Sequence, residues 1–164
     1  MKINNYLIVL TFLASTSSLF AQGKLTKNKE AIIASVEKHK ENLIKISDDI
    51  WALAETAFEE NQSSKILSDY AEQQGFKVER GVAGMPTAFV ATYGSGKPVI
   101  SVLGEFDALP GLSQKAEPNK NPLNEGAAGH GCGHNMFGAG SLGAAVAIKE
   151  LIESGKIKGT IKFF

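Results

Sequence analysis

The 164-residue chain is poor in cysteine, histidine and net charge. It has one cysteine, Cys132, so no internal disulfide can form. A lone thiol in such a chain is free, bridges to another molecule, or binds a metal. Lys plus Arg and Asp plus Glu each number 17, so no overall field draws the protein to nucleic acid or anionic lipid. Nor is there an apolar run near the roughly 20 residues that span a bilayer. Partners must therefore be sought in a localised site. The scarce residues are concentrated: Gly129-His-Gly-Cys-Gly-His-Asn135 holds two of the three histidines and the only cysteine. Glycine between ligands permits the backbone angles that bring side chains to a common centre, and thiolate and imidazole suit zinc and its neighbours. Cys132 and His134 are the first candidates. A closed structural site needs about four ligands, and this segment supplies two or three.

The first residues read as a processing signal. Lys2 gives a positive start, Tyr6 to Ala14 an apolar stretch, and Ser15 to Ala21 a small-residue run with a cut expected after Ala21. Residues 1–21 are thus expected to be a signal peptide, with a periplasmic or secreted location and no membrane anchor after cleavage. One domain is expected over 22–164.

Along that stretch, apolar residues at helical spacing (Ile32, Val36, Leu43, Ile46, Ile50, Leu53) predict an amphipathic helix, or two in series, from Lys29 to about Ala57. His39, between Lys38 and Lys40, reads as solvated. A second helix is predicted over Ser63–Gln74, ended by Gly75. Strands are predicted at Phe76–Glu79, Thr87–Tyr93 and Pro98–Leu103; the nearly continuous apolar run Val99, Ile100, Val102, Leu103 predicts an interior strand covered on both faces. A long aperiodic loop follows from Asp107 to His134, of the kind that is usually functional or disordered. It delivers the Cys/His cluster to the carboxyl end of the sheet, where open α/β sheets bind ligands. Met136–Glu153 reads as a helix whose small residues Gly140, Gly143, Ala144 and Ala147 let it lie close on a sheet, and Thr160–Phe164 as a strand completing a parallel βαβ unit. A chain that stops within an apolar strand is expected to be part of a longer protein.

Two glycine motifs carry less than their patterns promise. Gly138-Ala-Gly-Ser-Leu-Gly143 matches a dinucleotide fingerprint but does not follow a strand directly, so helix packing explains it better; Gly94-Ser-Gly-Lys97 precedes Pro98 where a phosphate loop requires Ser or Thr. A dinucleotide-binding domain is the weakest functional reading. Glu105 and Asp107 differ: alternating around Phe106 just past a buried strand, both carboxylates can point the same way, and acids beside a Cys/His cluster serve as ligands or fix a ligand's orientation.

Gly104-Glu-Phe-Asp-Ala-Leu-Pro-Gly-Leu-Ser-Gln114, His130-Gly-Cys-Gly-His-Asn135 and Gly140-Ser-Leu-Gly-Ala-Ala145 together resemble the M20 metallopeptidase and amidohydrolase family, in particular its aminobenzoyl-glutamate utilization branch. Glu55, Phe58-Glu-Glu60 and Arg80-Gly-Val-Ala-Gly-Met-Pro-Thr-Ala-Phe89 agree with that branch. The resemblance implies a three-layer α/β/α zinc-peptidase-like catalytic domain, here truncated, with the dimerisation domain absent and a homodimer expected only for the full-length protein. It implies two divalent ions, zinc or manganese, with Cys132 and His134 as ligands and Asp107 supporting the metal centre. Glu105 stands where many relatives have a ligating histidine; it and His130 are assigned supporting positions. The implied activity is hydrolysis of N-acyl or N-aroyl amino acids or dipeptide-like substrates, p-aminobenzoyl-glutamate among them. Further histidine ligands and the general-base glutamate are expected to lie outside this chain, so the fragment should bind metal weakly for want of ligands and be inactive for want of the base. The alternative is a non-catalytic, exported metal- or small-ligand-binding protein.

Overall fold

The computed structural model describes residues 26–164; the expected signal peptide lies outside the described residues. Helix α1 runs over Lys27–Leu53 as one element, opened by the Thr26 hydroxyl accepting from the Lys29 N–H and closed at Ala54 in the left-handed region. Its buried stripe is Ser35, His39, Ile46 and Ile50, with Leu43 partly covered. The apolar period predicts Val36 on that face, yet Val36 is exposed and His39 is buried. The solvated reading of His39 is therefore corrected: its Nδ1 lies 2.8 Å from the Tyr70 hydroxyl and its Nε2 3.0 Å from Glu150 Oε1. Polar side chains occupy an inward face when partners from other helices satisfy them there.

Helix α2, Asn61–Gln73, starts without a side-chain cap from its own flank. Glu55 supplies one from a distance: its carboxylate accepts from the backbone N–H of Gln62 and Ser63 and from the Ser63 hydroxyl. Burial works to raise the Glu55 pKa, but these donors outweigh it and hold it below 4.5. A carboxylate depressed in the folded state contributes stability above its unfolded pKa and loses that contribution as pH falls through the lower folded value. Glu55→Ala should cost about 1–2 kcal/mol at neutral pH and flatten the acid limb of the stability curve, as urea titrations from pH 7 down to pH 3 would show.

Strands β1 (Lys77–Arg80), β2 (Phe89–Ser95), β3 (Val99–Val102) and β4 (Gly159–Phe163) form one sheet in the order β1-β2-β4-β3. β4 pairs antiparallel with β2 and parallel with β3, so β3, the long loop, helix α3 (His134–Glu153) and β4 make the expected parallel crossover. Inward residues alternate: Phe89 and Ala91 on β2 and Ile161 and Phe163 on β4 join Leu67, Tyr70, Leu142 and Val146 in the core. Among the described residues, helices α2 and α3 cover this face, and α1 packs on both of them. The class is α/β.

The expected interior position of β3 is corrected. Among the described residues β3 pairs only with β4 and forms an edge, leaving Val99 and Ile100 more than half exposed. The small-residue face of α3 is corrected too. A Cβ on Gly143 would meet Leu43 Cδ1 of α1 at 2.7 Å and one on Gly138 the Glu105 carbonyl oxygen at 3.1 Å, whereas Gly140 and Ala144 are exposed. The glycines admit α1 and the loop after β3. No described helix is long and apolar enough to cross a membrane.

Candidate metal-binding hydrolase site

The chain leaves the carboxyl end of β3 as Leu103-Gly-Glu-Phe-Asp107. A Cβ on Gly104 would meet the Phe163 ring at 2.7 Å, so only glycine lets this exit lie flat on the core. Ala108 then donates to the Glu55 carbonyl at 2.7 Å, tying the exit to the loop between α1 and α2. Residues 109–133 contain no helix or longer strand. Leu109 and Gly129 exchange two backbone hydrogen bonds of 3.0 Å, and Ser113 donates to the Ala127 carbonyl, which closes the loop on itself.

The seven-residue motif is fixed at both ends to α1. His130 Nε2 lies 3.0 Å from the Ile50 carbonyl oxygen, and the Asn135 amide donates to the Ser47 hydroxyl and carbonyl. Burial pushes the His130 pKa down, against the opposing pull of its Ile50 hydrogen bond. Its Nδ1 is buried with no hydrogen-bond partner. His130 thus fastens the motif to α1. Between the anchors, Gly133 adopts φ 81° as the cap residue of α3, and Cys132 sits exposed at the turn.

His134, the first residue of α3, is gripped by both acids. Its Nδ1 lies 2.8 Å from Asp107 Oδ1 and its Nε2 3.0 Å from Glu105 Oε2. The structure therefore brings together His134, Asp107 and Glu105, with Cys132 two residues before the histidine, while His130 faces α1. A histidine that donates one ring N–H to a carboxylate is fixed in tautomer and orientation, the usual state of a metal-ligating imidazole. Asp107 is placed to do this, which leaves Nε2 and the exposed Glu105 carboxylate on the outer side. The residues fit part of a metal site: the donor types and the brace are present, but no group of three or more His, Cys, Asp or Glu that could hold a metal is found among the described residues.

Beside this cluster opens a cleft of about 480 Å³, lined by both acids, His134 and a mainly apolar wall. Sequence reasoning misses its other contributors. Glu60 enters it only as part of a pattern, and Phe58 and Met85 carry no chemical signal. The one available hint is that Phe58 sits next to a run of acids.

A carboxylate-braced histidine and a nearby cysteine beyond the strand ends of an α/β sheet offer the donor types that transition metals accept. No protein-family model matches the chain. It is 43% identical over 131 residues to a component of the p-aminobenzoyl-glutamate hydrolase of Escherichia coli, an alignment covering 79% of this chain and 27% of that protein. Its fold superimposes on a dinuclear metal-binding M20 peptidase of Bacillus subtilis with a TM-score of 0.64 and 25% identity, over 77% of this chain and 35% of the other. It likewise superimposes on a putative aminohydrolase from methicillin-resistant Staphylococcus aureus, TM-score 0.66 and 24% identity, over 82% and 33% of the two chains. The chain is related to the M20 metallopeptidases and amidohydrolases. It spans about a quarter to a third of the length of these relatives.

Proposed function

We propose that residues 22–164 supply part of the catalytic domain of an exported, metal-dependent amidohydrolase that cleaves N-acyl or N-aroyl amino acids, p-aminobenzoyl-glutamate among them. One observation carries this reading: His134 stands braced by Asp107 at the end of β3, two residues from the exposed Cys132. The name of the E. coli relative supports the substrate class, and the dinuclear metal-binding Bacillus relative supports a centre of two metal ions; zinc or manganese as the divalent ions is our assignment, the thiolate favouring zinc. Export rests on the signal-like character of residues 1–21, and homodimerisation is assigned to the longer protein.

In this reading Cys132 and His134 Nε2 hold metal, Asp107 fixes the imidazole through Nδ1, and Glu105, 3.0 Å from Nε2, gives up that contact when metal binds. His130 and Asn135 keep the motif on α1. A bound divalent ion would lower the pKa of water and polarise the amide carbonyl. The described residues offer few donors and hold Glu105 against His134 until metal displaces it, so metal should bind weakly. With the general-base glutamate expected outside this chain, turnover by this chain should be negligible.

Calorimetric titration of zinc and manganese, alongside an assay for p-aminobenzoate release from p-aminobenzoyl-glutamate, tests the proposal. Weak binding that Cys132→Ser weakens further, with release at background, is expected. Binding indifferent to Cys132→Ser would overturn the metal centre, and turnover matching a full-length relative would overturn the assignment of an inactive fragment.

A further inference from the structure

The two edges of the sheet are unlike. At one, β1 carries Lys77, Glu79 and Arg80, charges of the kind that keep an edge strand from pairing. At the other, no charge or proline lies between Val99 and Leu103, and Val99, Ile100 and Leu103 are each more than half exposed. Among the described residues β3 has β4 as its sole neighbour. An open, uncharged, apolar edge is a template for another strand.

The backbone shows which residues of β3 face outward. The Pro98 and Val102 carbonyls accept from Thr160 and Phe164, and the Gly104 N–H donates to the Phe164 carbonyl, so the even-numbered residues turn their backbone groups towards β4. By the alternation of a strand, Val99, Ser101 and Leu103 turn N–H and C=O to the open side. Side chains alternate as well. Ile100 and Val102 stand in register with Ile161 and Phe163 on the helix-covered face. There they border an apolar hollow of about 200 Å³ together with Ala144, Ile148 and Ile152 of α3.

We propose that the β3 edge pairs with a second copy of this chain, the two strands running antiparallel about a two-fold axis at Ser101 so that the sheets join into one. A surface that pairs with itself about such an axis must be self-complementary, and the sequence around Ser101 is. With Ser101 opposite Ser101, Val99 faces Leu103 and Ile100 faces Val102, apolar against apolar, and outward-turned backbone groups meet their like. Lys97 and Glu105 are both exposed and each lies four residues from Ser101, so the lysine of one copy stands opposite the glutamate of the other at both ends of the pairing. Glu105 meets His134 through Oε2, which leaves Oε1 for the lysine. A slip of two residues sets Val99 against Glu105 or Leu103 against Lys97, and a slip of one mismatches the hydrogen bonds. On the helix-covered side, Ile100 and Val102 of the second copy extend the apolar floor of the hollow. The pairing uses only residues 97–105, which separates it from the homodimer assigned to the longer protein.

Analytical ultracentrifugation of the 164-residue chain tests this, in chelator and reductant so that neither metal nor Cys132 links the copies. A monomer–dimer equilibrium half complete at roughly 10–100 µM is expected, the strength of a small interface. Val99→Lys, at a position already open to solvent in the single chain, should raise the dissociation constant at least about tenfold and leave the thermal melt of the dilute protein unchanged. Lys97→Glu, which sets acid against acid at both ends, should raise it about threefold to tenfold, less so in high salt. The register has its own readout. In a Cys132→Ser background, Ser101→Cys should cross-link the copies on mild oxidation, since Cα atoms about 5.5 Å apart in a hydrogen-bonded pair lie within the range of a disulfide. A chain that stays monomeric across that concentration range overturns the proposal and leaves the edge to a strand of another partner. Association that Val99→Lys does not weaken places the contact elsewhere and overturns it equally. A dimer weakened by Val99→Lys but without the Ser101→Cys cross-link overturns the axis at Ser101.

Discussion

Phe163→Ala should lower the unfolding free energy by about 3–5 kcal/mol, the range for truncating a buried phenylalanine. Phe163 is fully buried and the largest side chain in the core to be so. Its ring packs 5.5 Å from that of Phe89 and fills the space directly over Gly104. Small domains have only about 5–15 kcal/mol in total, so urea denaturation should show a large shift in midpoint. The effect should reach the site as well. Gly104 immediately precedes Glu105, and without the ring the exit from β3 loses the surface on which it lies. The Phe163→Ala protein should therefore bind zinc less tightly at temperatures where it is still folded. A variant whose unfolding free energy fell by less than about 1 kcal/mol would show that this part of the core collapses around the cavity.

Gly129→Ala is the second large effect, through crowding where Phe163→Ala leaves a void. The backbone of Gly129 does not require glycine for its angles, because it has no positive φ. It requires glycine for space. An added Cβ would lie 2.6 Å from the Leu112 carbonyl carbon and 2.9 Å from Ser113 Cα, and closer still to the Leu112 carbonyl oxygen. These are backbone atoms that cannot rotate away, so the strand-like pair of segments around Leu109 and Gly129 must part. Overpacking costs about 1–3 kcal/mol or more, and each of the two hydrogen bonds with Leu109 adds roughly 1 kcal/mol if lost. His130 is the next residue, so its hold on Ile50 should slip with the loop. A thermal melt lowered by several degrees, with zinc affinity reduced in the same protein, is expected; an unchanged melt would mean that the loop moves freely at Leu112.

The sequence is most informative where chemistry is local. Cys132 and His134 stand two residues apart, and Glu105 and Asp107 share a strand-end alternation, so their residue types and spacing are visible without a fold. The helices and strands are legible for the same reason, since periods of 3.6 and 2 are local. What stays hidden depends on remote partners. An apolar period favours Val36 over His39 for the buried face of α1 because it ignores polar side chains, and the Tyr70 and Glu150 groups that satisfy His39 lie on other helices. That environment is strongly ionic: burial works to raise the Glu150 pKa, yet hydrogen bonds from Lys38 and His39 help hold it down to about 2. The apolar run of β3 predicts cover on both faces, but neighbours on a sheet are not written in the strand itself. Glu60, Phe58 and Met85 meet Asp107 only through the cleft, and no spacing rule connects them.

The anchors of the Cys/His motif give it a history as well as a place. His130 and Asn135 reach partners 80 and 88 residues earlier in the chain, across all of α2 and three strands. Contacts of such separation carry a loop-closure cost that contacts within one helix or hairpin do not. A short peptide copied from Gly129–Asn135 would contain every candidate donor atom of the motif and none of its alignment. The candidate ligands come together only when α1 and α3 have docked, so their geometry reports on the completeness of folding.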